Sequence, residues 1–200
     1  WLPTEPEALR RDLREYGNAI AHPTVLFRRD VLEKVGGFRK AYLHAEDYDL
    51  WLRMMEHFDL ANLRMVLLGY RRHEASVSSR NAKQQALSAL CARVTAQLRL
   101  QGRPDPTSSM DLITEAVLRD LGVKQETIDA AVFKNMVVLT EEVIGCGLRS
   151  AAAEFVRMAR PYAPADKLAR TSLELNRKAA QAPASDYEKR RHRTALLTAD

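Results

Sequence analysis

Apolar residues change their spacing several times along the first hundred residues of this 200-residue chain. PTVLF (23–27) and RMVLLGY (64–70) are short runs rich in Val, Leu, Phe and Tyr, which is typical of β-strands. Between them, RRDVLEKV (28–35) has the spacing of a short helix, and Gly36-Gly37 marks its end. This pattern predicts an α/β region.

Helical spacing predicts three further elements before residue 102. One opens the chain around residues 9–16, and a longer one runs from about 80 to 100, where apolar residues recur every four positions. A third helix begins at Glu46. Its apolar stripe is predicted to contain Leu50, Trp51, Met54, Met55 and Phe58.

The composition changes at GRPDPTSS (102–109), which has the Gly, Pro and Ser content of a linker. Only helical patterns follow with clarity, although MVVL (136–139) has the composition of a strand. We therefore predict an α/β portion with an incomplete sheet at 1–101, a linker at 102–109, and an all-α helical extension with a frayed basic tail at 110–200. The predicted helices of the extension are MDLITEAVLRDLG, ETIDAAVFKNMVVLTEEVIG, SAAAEFVRMARPY and ADKLARTSLELNRKAA.

Composition narrows the functional classes only slightly. The net charge of +5 is compatible with phosphate-bearing ligands, anionic membranes or nucleic acid. The chain has no pattern of interleaved aromatic and basic residues for stacking bases, so nucleic acid is not an expected partner. No apolar run approaches the roughly 20 residues of a transmembrane segment. Cys91 and Cys146 are far apart and are predicted to be buried free thiols in a reducing cytosol.

The chemically suggestive stretch is HAEDYDLWLRM (44–54), where Glu46, Asp47 and Asp49 open a helix. Free backbone N–H groups and the positive end of the helix dipole favour negative charge there. These acids are therefore candidates for a general base, which must be ionised to accept a proton. Helix capping is the alternative, because Asp and Glu are common in first turns.

Three blocks in order resemble the C-terminal, acceptor-side part of a family 2 glycosyltransferase with the GT-A fold. They are NAIAHPTVLFRRDVLEKVGGF, AEDYDLWLRM and LLGYRRHEASVS. The resemblance covers about 60 to 85 residues from Asn18 onward. It implies a partial GT-A-like sheet followed by the helical extension.

The resemblance also implies a reaction. Asp47 would be the general base that deprotonates an acceptor hydroxyl, and Glu46 would bind the acceptor or tune Asp47. The donor would be a nucleotide sugar, and the acceptor a saccharide, a lipid-linked glycan or a protein. Mn²⁺ or Mg²⁺ would support the diphosphate leaving group, with Arg71 and His73 as substrate-binding residues and His73 as a candidate metal ligand.

Each remaining candidate has a structural alternative. Trp51 is expected to line the acceptor pocket or to belong to the core. His22 is placed near the acceptor site by the resemblance, although a lone histidine is often incidental. Arg53 is predicted to pair with a carboxylate such as Asp49 or Glu56.

The donor-binding half of such a transferase is missing from the resemblance. No DxD motif stands in a suitable place, since DYD (47–49) belongs to the acidic block. The chain begins with Trp1, and we expect a piece of a longer protein that is inactive alone. Its partners would include the missing N-terminal half of the same chain, which would cover its strand edges.

Location and assembly follow the same resemblance. We expect a cytoplasmic protein of bacterial envelope glycan synthesis, with the inner face of the membrane as a candidate peripheral contact. Homo-oligomers are expected where uncovered strand edges pair. The rival hypothesis is a non-enzymatic interaction module, in which a degenerate transferase remnant is joined to a helical partner-binding array.

Overall fold

The computed structural model describes residues 2–69, 81–163 and 177–178. Their regular structure is helical. The helices are α1 (Pro6–Glu15), α2 (Arg29–Val35), α3 (Glu46–Met54), α4 (Ala82–Leu100), α5 (Glu115–Asp120), α6 (Gln125–Gly145) and α7 (Arg149–Ala159), with 3-10 turns at His22–Thr24 and Arg160–Tyr162.

The predicted α/β fold with an incomplete GT-A-like sheet is wrong for the described residues, which contain no strand. The first predicted strand begins in the 3-10 turn and continues as extended backbone, with Val25 at φ −78° and ψ 135°. The second, at 64–69, has no regular structure, and residue 70 lies outside the described ranges. A strand requires a hydrogen-bonded neighbour. Composition alone identified these apolar segments, but it could not show whether either one pairs with a neighbouring strand.

The predicted helices have a mixed outcome. Those at 28–35, from Glu46, and from about 80 to 100 are confirmed by α2, α3 and α4. MVVL lies inside α6 and is not a strand. ADKLARTSLELNRKAA lies almost wholly outside the described residues. Cys91 is buried as predicted, but Cys146 is exposed because it follows the end of α6.

Two compact units form the chain. The described residues of the first unit are 2–69 and 84–124, and those of the second are 81–83, 125–163 and 177–178. The division into a transferase portion, a linker and a helical extension stays a prediction.

Helix α3 lies in the core of the first unit. It is buried on nearly every side, and α1 packs against it through the fully buried Leu9 and Leu13. The Tyr48 hydroxyl donates to the carbonyl of Leu13, which fixes the two helices at this contact. The predicted apolar stripe is confirmed at Leu50, Trp51, Met54 and Met55, whereas Phe58 is only half-buried.

The stretch predicted to be a linker contributes to the same core. Thr107 is buried, and its hydroxyl lies 2.6 Å from the hydroxyl of Tyr42. Farther along, the Ile113 N–H donates to the carbonyl of Ala41 at 3.0 Å. These contacts hold residues 105–113 against the loop that leads into α3.

In the second unit, α6 and α7 form a helical hairpin. Val132, Met136, Phe155 and Val156 are buried in this unit. The turn between the helices contains Gly147 at φ +72°, a left-handed conformation that glycine adopts without strain.

Candidate functional site

Asp47 is held by hydrogen bonds at both of its carboxylate oxygens. Asn18 Nδ2 donates to Oδ2 at 2.9 Å, and the backbone N–H of Tyr48 donates to Oδ1 at 2.7 Å. Asp47 is the second residue of α3, and its side chain is half-buried. A carboxylate oxygen can accept two hydrogen bonds, so each oxygen keeps capacity for a proton or a ligand hydroxyl.

A sharp turn leads into this helix. His44 adopts a φ of +67°, which is uncommon for a residue other than glycine. The carbonyl of Leu43 accepts from the Ser88 hydroxyl at 2.9 Å, and the Ala45 N–H donates to the carbonyl of Tyr42 at 2.9 Å. Hydrogen bonds therefore hold the turn on both sides of His44, and they fix the direction in which α3 begins.

The rings of His22, Phe38 and Trp51 lie together, and the His22 ring lies near Asp47. The His22 ring is 5.4 Å from Phe38 and 5.9 Å from Trp51, and it is close enough to Asp47 to act on its carboxyl electrostatically. Trp51 is only 1% exposed, whereas Phe38 is 52% exposed and His22 is also exposed. The exposed part of this ring cluster is therefore formed by His22 and Phe38, whereas Trp51 is buried in the core.

Burial raises the pKa of the Asp47 carboxyl above its ordinary value. The Tyr48 N–H, His22 and the Asn18 amide favour the charged form and lower this pKa. Glu46 opposes ionisation, and the net shift is upward. A carboxylate with a raised pKa is a stronger proton acceptor once it is ionised.

The other two acids of the stretch have different surroundings. Glu46 is the first residue of α3 and is half-buried. Asp49 is completely buried and paired with Arg39 and Arg53; Arg53 Nη2 lies 3.0 Å from Asp49 Oδ2. The predicted pairing of Arg53 with Asp49 is confirmed. Asp49 is therefore part of a buried ion-pair network, whereas Glu46 and Asp47 are both half-buried.

Arg71 and His73 lie outside the described residues. The predicted contact of these side chains with the acidic stretch stays a prediction, as does the metal-binding role of His73. Across the ranges that the structure describes, no group of three or more His, Cys, Asp or Glu side chains is placed to hold a metal ion.

The sequence interpretation overlooked two residues of the site. Asn18 marked the start of the family-like stretch, and Phe38 was treated only as part of a turn. Both are far from Asp47 in sequence, and single-residue spacing contains no signal for such contacts. The signal that the sequence did contain was an aromatic residue, Phe38, directly after Gly36-Gly37.

In the part of the chain that the structure describes, no helix is both long enough and apolar enough to cross a bilayer.

No family model matches the chain, and no solved structure matches it. Over 64 residues it is 41% identical to the O-antigen biosynthesis glycosyltransferase WbnJ of Escherichia coli. The match covers 30% of this chain and 25% of that protein, so the chain spans about a quarter of the relative's length. At this coarse level the predicted relationship to glycosyltransferases is confirmed. Membership of family 2 stays a prediction.

Proposed function

We propose that this chain is the acceptor-side part of a family 2 glycosyltransferase that acts in envelope glycan synthesis. The observation that carries the proposal is Asp47, a half-buried carboxylate with a raised pKa at the start of α3, near the exposed ring of His22, which contacts Phe38. The similarity to an O-antigen biosynthesis glycosyltransferase supports the same assignment.

The proposed reaction is an inverting transfer. The Asp47 carboxylate accepts the proton of an acceptor hydroxyl while that oxygen forms a bond to the anomeric carbon of a nucleotide sugar. The bond from this carbon to the diphosphate oxygen breaks, and the nucleoside diphosphate leaves with the electron pair. A positioned base contributes typically about 10²- to 10⁴-fold to such a step.

The acceptor is proposed to be a saccharide or a lipid-linked glycan. The apolar face of a sugar ring packs on aromatic side chains, and the exposed rings of His22 and Phe38 form such a surface, with His22 near Asp47. Glu46 is placed one residue before the base and is proposed to bind another acceptor hydroxyl. Trp51 supports His22 from the core.

The donor-binding portion is proposed to lie outside the described residues, in a longer protein of which this chain would form a part. A divalent cation, when bound, would offset the charge of the departing diphosphate. It is proposed to be held by that portion together with His73, and Arg71 is proposed to contact the diphosphate.

Transfer from a panel of nucleotide sugars by the longer protein, with and without Mn²⁺, tests the proposal. Asp47→Asn keeps the size of the side chain and removes the base, and we expect it to lower kcat by about 10²-fold or more. Asp30→Asn is a matched control, because Asp30 is also the second residue of a helix, α2, and is exposed. It should retain full activity.

If the wild-type protein turns over no nucleotide sugar, the interaction-module hypothesis replaces the transferase. If Asp47→Asn is as active as wild type, Asp47 is a helix-terminus residue and the base lies elsewhere.

A further inference from the structure

Asn18 makes two contacts that together define its orientation. Its Nδ2 donates to Asp47 Oδ2 at 2.9 Å, and its Oδ1 accepts from the backbone N–H of Ile20 at 3.1 Å. The Ile20 contact requires an oxygen at that position, so the amide nitrogen must face Asp47. The side chain is thus fixed as a donor to the carboxylate.

The loop that carries Asn18 is fixed in turn by Asn62. Asn62 Nδ2 donates to the carbonyl of Ala19 at 3.0 Å and to the carbonyl of Pro3 at 2.9 Å. Ala19 is itself buried. Asn18 therefore holds Asp47 from a segment that is bonded to other parts of the first unit.

The second oxygen of Asp47 is bonded to the helix itself, through the N–H of Tyr48 at 2.7 Å. One oxygen is therefore tied to α3 and the other to the loop at residues 18–20. A carboxylate held at two points cannot rotate freely about its Cβ–Cγ bond, and a reacting group held in one orientation needs less reorganisation to react.

We propose that Asn18 is a positioning residue for Asp47, whose side-chain amide holds the carboxylate in one orientation and leaves a lone pair of each oxygen for the acceptor hydroxyl. The catalytic part of this inference rests on the proposed transferase function. The part that concerns the carboxylate of Asp47 does not, and it is testable on this chain alone.

Asn18→Asp is the sharpest variant. An aspartate there can still accept from Ile20 N–H and has the same shape, but it presents an oxygen to Asp47 in place of a donor. Asn18→Ala removes both contacts. The matched control is Asn135→Ala in the second unit, where Asn135 Nδ2 donates to the carbonyl of Ala82 at 2.9 Å.

The first measurement is a carbon-13 NMR titration of the Asp47 carboxyl in the 200-residue chain. His22 and Glu46 also act on this carboxyl and are present in every variant. We expect both Asn18 variants to raise the pKa of Asp47 above that of wild type. In Asn18→Ala the charged form loses a donor, and in Asn18→Asp it loses the donor and also faces a second carboxylate. Asn135→Ala should leave the titration unchanged. An unchanged Asp47 titration in both Asn18 variants would overturn the proposal.

The second measurement is the pH profile of transfer by the longer protein. We expect Asn18→Asp to lower kcat by about 10- to 100-fold at unchanged donor KM and to move the acid limb of the profile to higher pH. Wild-type kcat and an unmoved limb in Asn18→Asp would overturn the positioning role.

Asp47→Asn separates the two hypotheses. If it is fully active, the assignment of Asp47 as the base fails, whatever Asn18 does. If it is inactive while Asn18→Asp behaves as wild type, only the inference about Asn18 fails.

Discussion

Asp47 and Asp49 are two residues apart in α3, but their surroundings differ. Asp49 is fully buried and neutralised by Arg39 and Arg53. Asp47 has a neutral amide and a backbone N–H as its hydrogen-bonding partners and stays half-exposed. A buried carboxylate between two guanidinium groups is a poor proton acceptor, whereas a half-buried one with neutral partners is a good one.

The raised pKa of Asp47 predicts how replacing this residue changes the free energy of unfolding. A helix cap that stabilises the fold would predict the opposite change. Its folded pKa lies above the unfolded value, so its ionisation destabilises the folded state. This cost is absent at pH about 3, where the carboxyl is protonated in both states, and it is complete above the folded pKa. At pH 7 we therefore expect Asp47→Asn to leave the free energy of unfolding unchanged or to increase it.

Thermal unfolding at both pH values checks this expectation, with Asp30→Asn measured in parallel. A stabilising cap would behave in the opposite way, since removing one costs about 0.5–2 kcal/mol. A melting temperature several degrees below that of wild type at pH 7 would mean that Asp47 stabilises the start of α3.

At the scale of elements, an ion network joins the start of the 102–113 segment to α3 and α4. Asp105 Oδ2 lies 2.8 Å from Arg39 Nη1 and 2.5 Å from Arg99 Nη1. Arg99 also pairs with Glu56 at 2.8 Å, and Arg39 pairs with Asp49. The stretch that has the composition of a linker is thus held by charge pairs that no local pattern indicates.

Asp105 is the residue whose loss should weaken this network most. Burial acts to raise its pKa, but hydrogen bonds from Thr107 and Arg39 outweigh burial and lower the pKa to about 2. A folded pKa below the unfolded value adds stability that is present above the unfolded pKa and is lost as the pH falls towards about 2. We expect Asp105→Asn to lower the free energy of unfolding by about 3 kcal/mol at pH 7, because it leaves guanidinium groups short of a partner.

Denaturant titrations at pH 7 and at low pH measure this effect. The difference between wild type and Asp105→Asn should shrink as the pH approaches about 2. Asp111→Asn changes an exposed acid of the same segment and should stay within about 0.5 kcal/mol of wild type. Equal stability of Asp105→Asn and wild type at pH 7 would mean that the network is not what fixes this segment.

Local features of the structure were predictable from the sequence, whereas contacts between distant residues were not. Helical periodicity located α2, α3 and α4, because each has local spacing and terminal signals. It also placed Asp47 at a helix start. It did not find Asn18 beside Asp47 or Asp105 beside Arg39, which are contacts 29 and 66 residues apart in the chain. It also predicted strands where apolar composition was not accompanied by a pairing partner.

At the scale of the whole molecule, the two apolar segments that were predicted to be strands contain the most exposed apolar side chains of the first unit. Leu26 is 97% exposed and Val66 is 81% exposed, and Leu63, Met65 and Leu67 are exposed with them. Contiguous exposed apolar residues usually mark a surface that another protein surface covers. In the proposed transferase, the donor-binding portion would be that surface.

Hydrogen exchange of the backbone amides tests this proposal. We expect amides of residues 26–28 and 63–69 to exchange rapidly in the 200-residue chain and to be protected in the longer protein, because a covering portion would supply hydrogen-bond acceptors and exclude water. The amides of α3 are the internal control and should be protected in both.

Sugar transfer should appear only in the longer protein. If the longer protein transfers sugar while both segments still exchange rapidly, the donor-binding portion packs elsewhere. If it neither transfers sugar nor protects them, the interaction module becomes the better account of the chain.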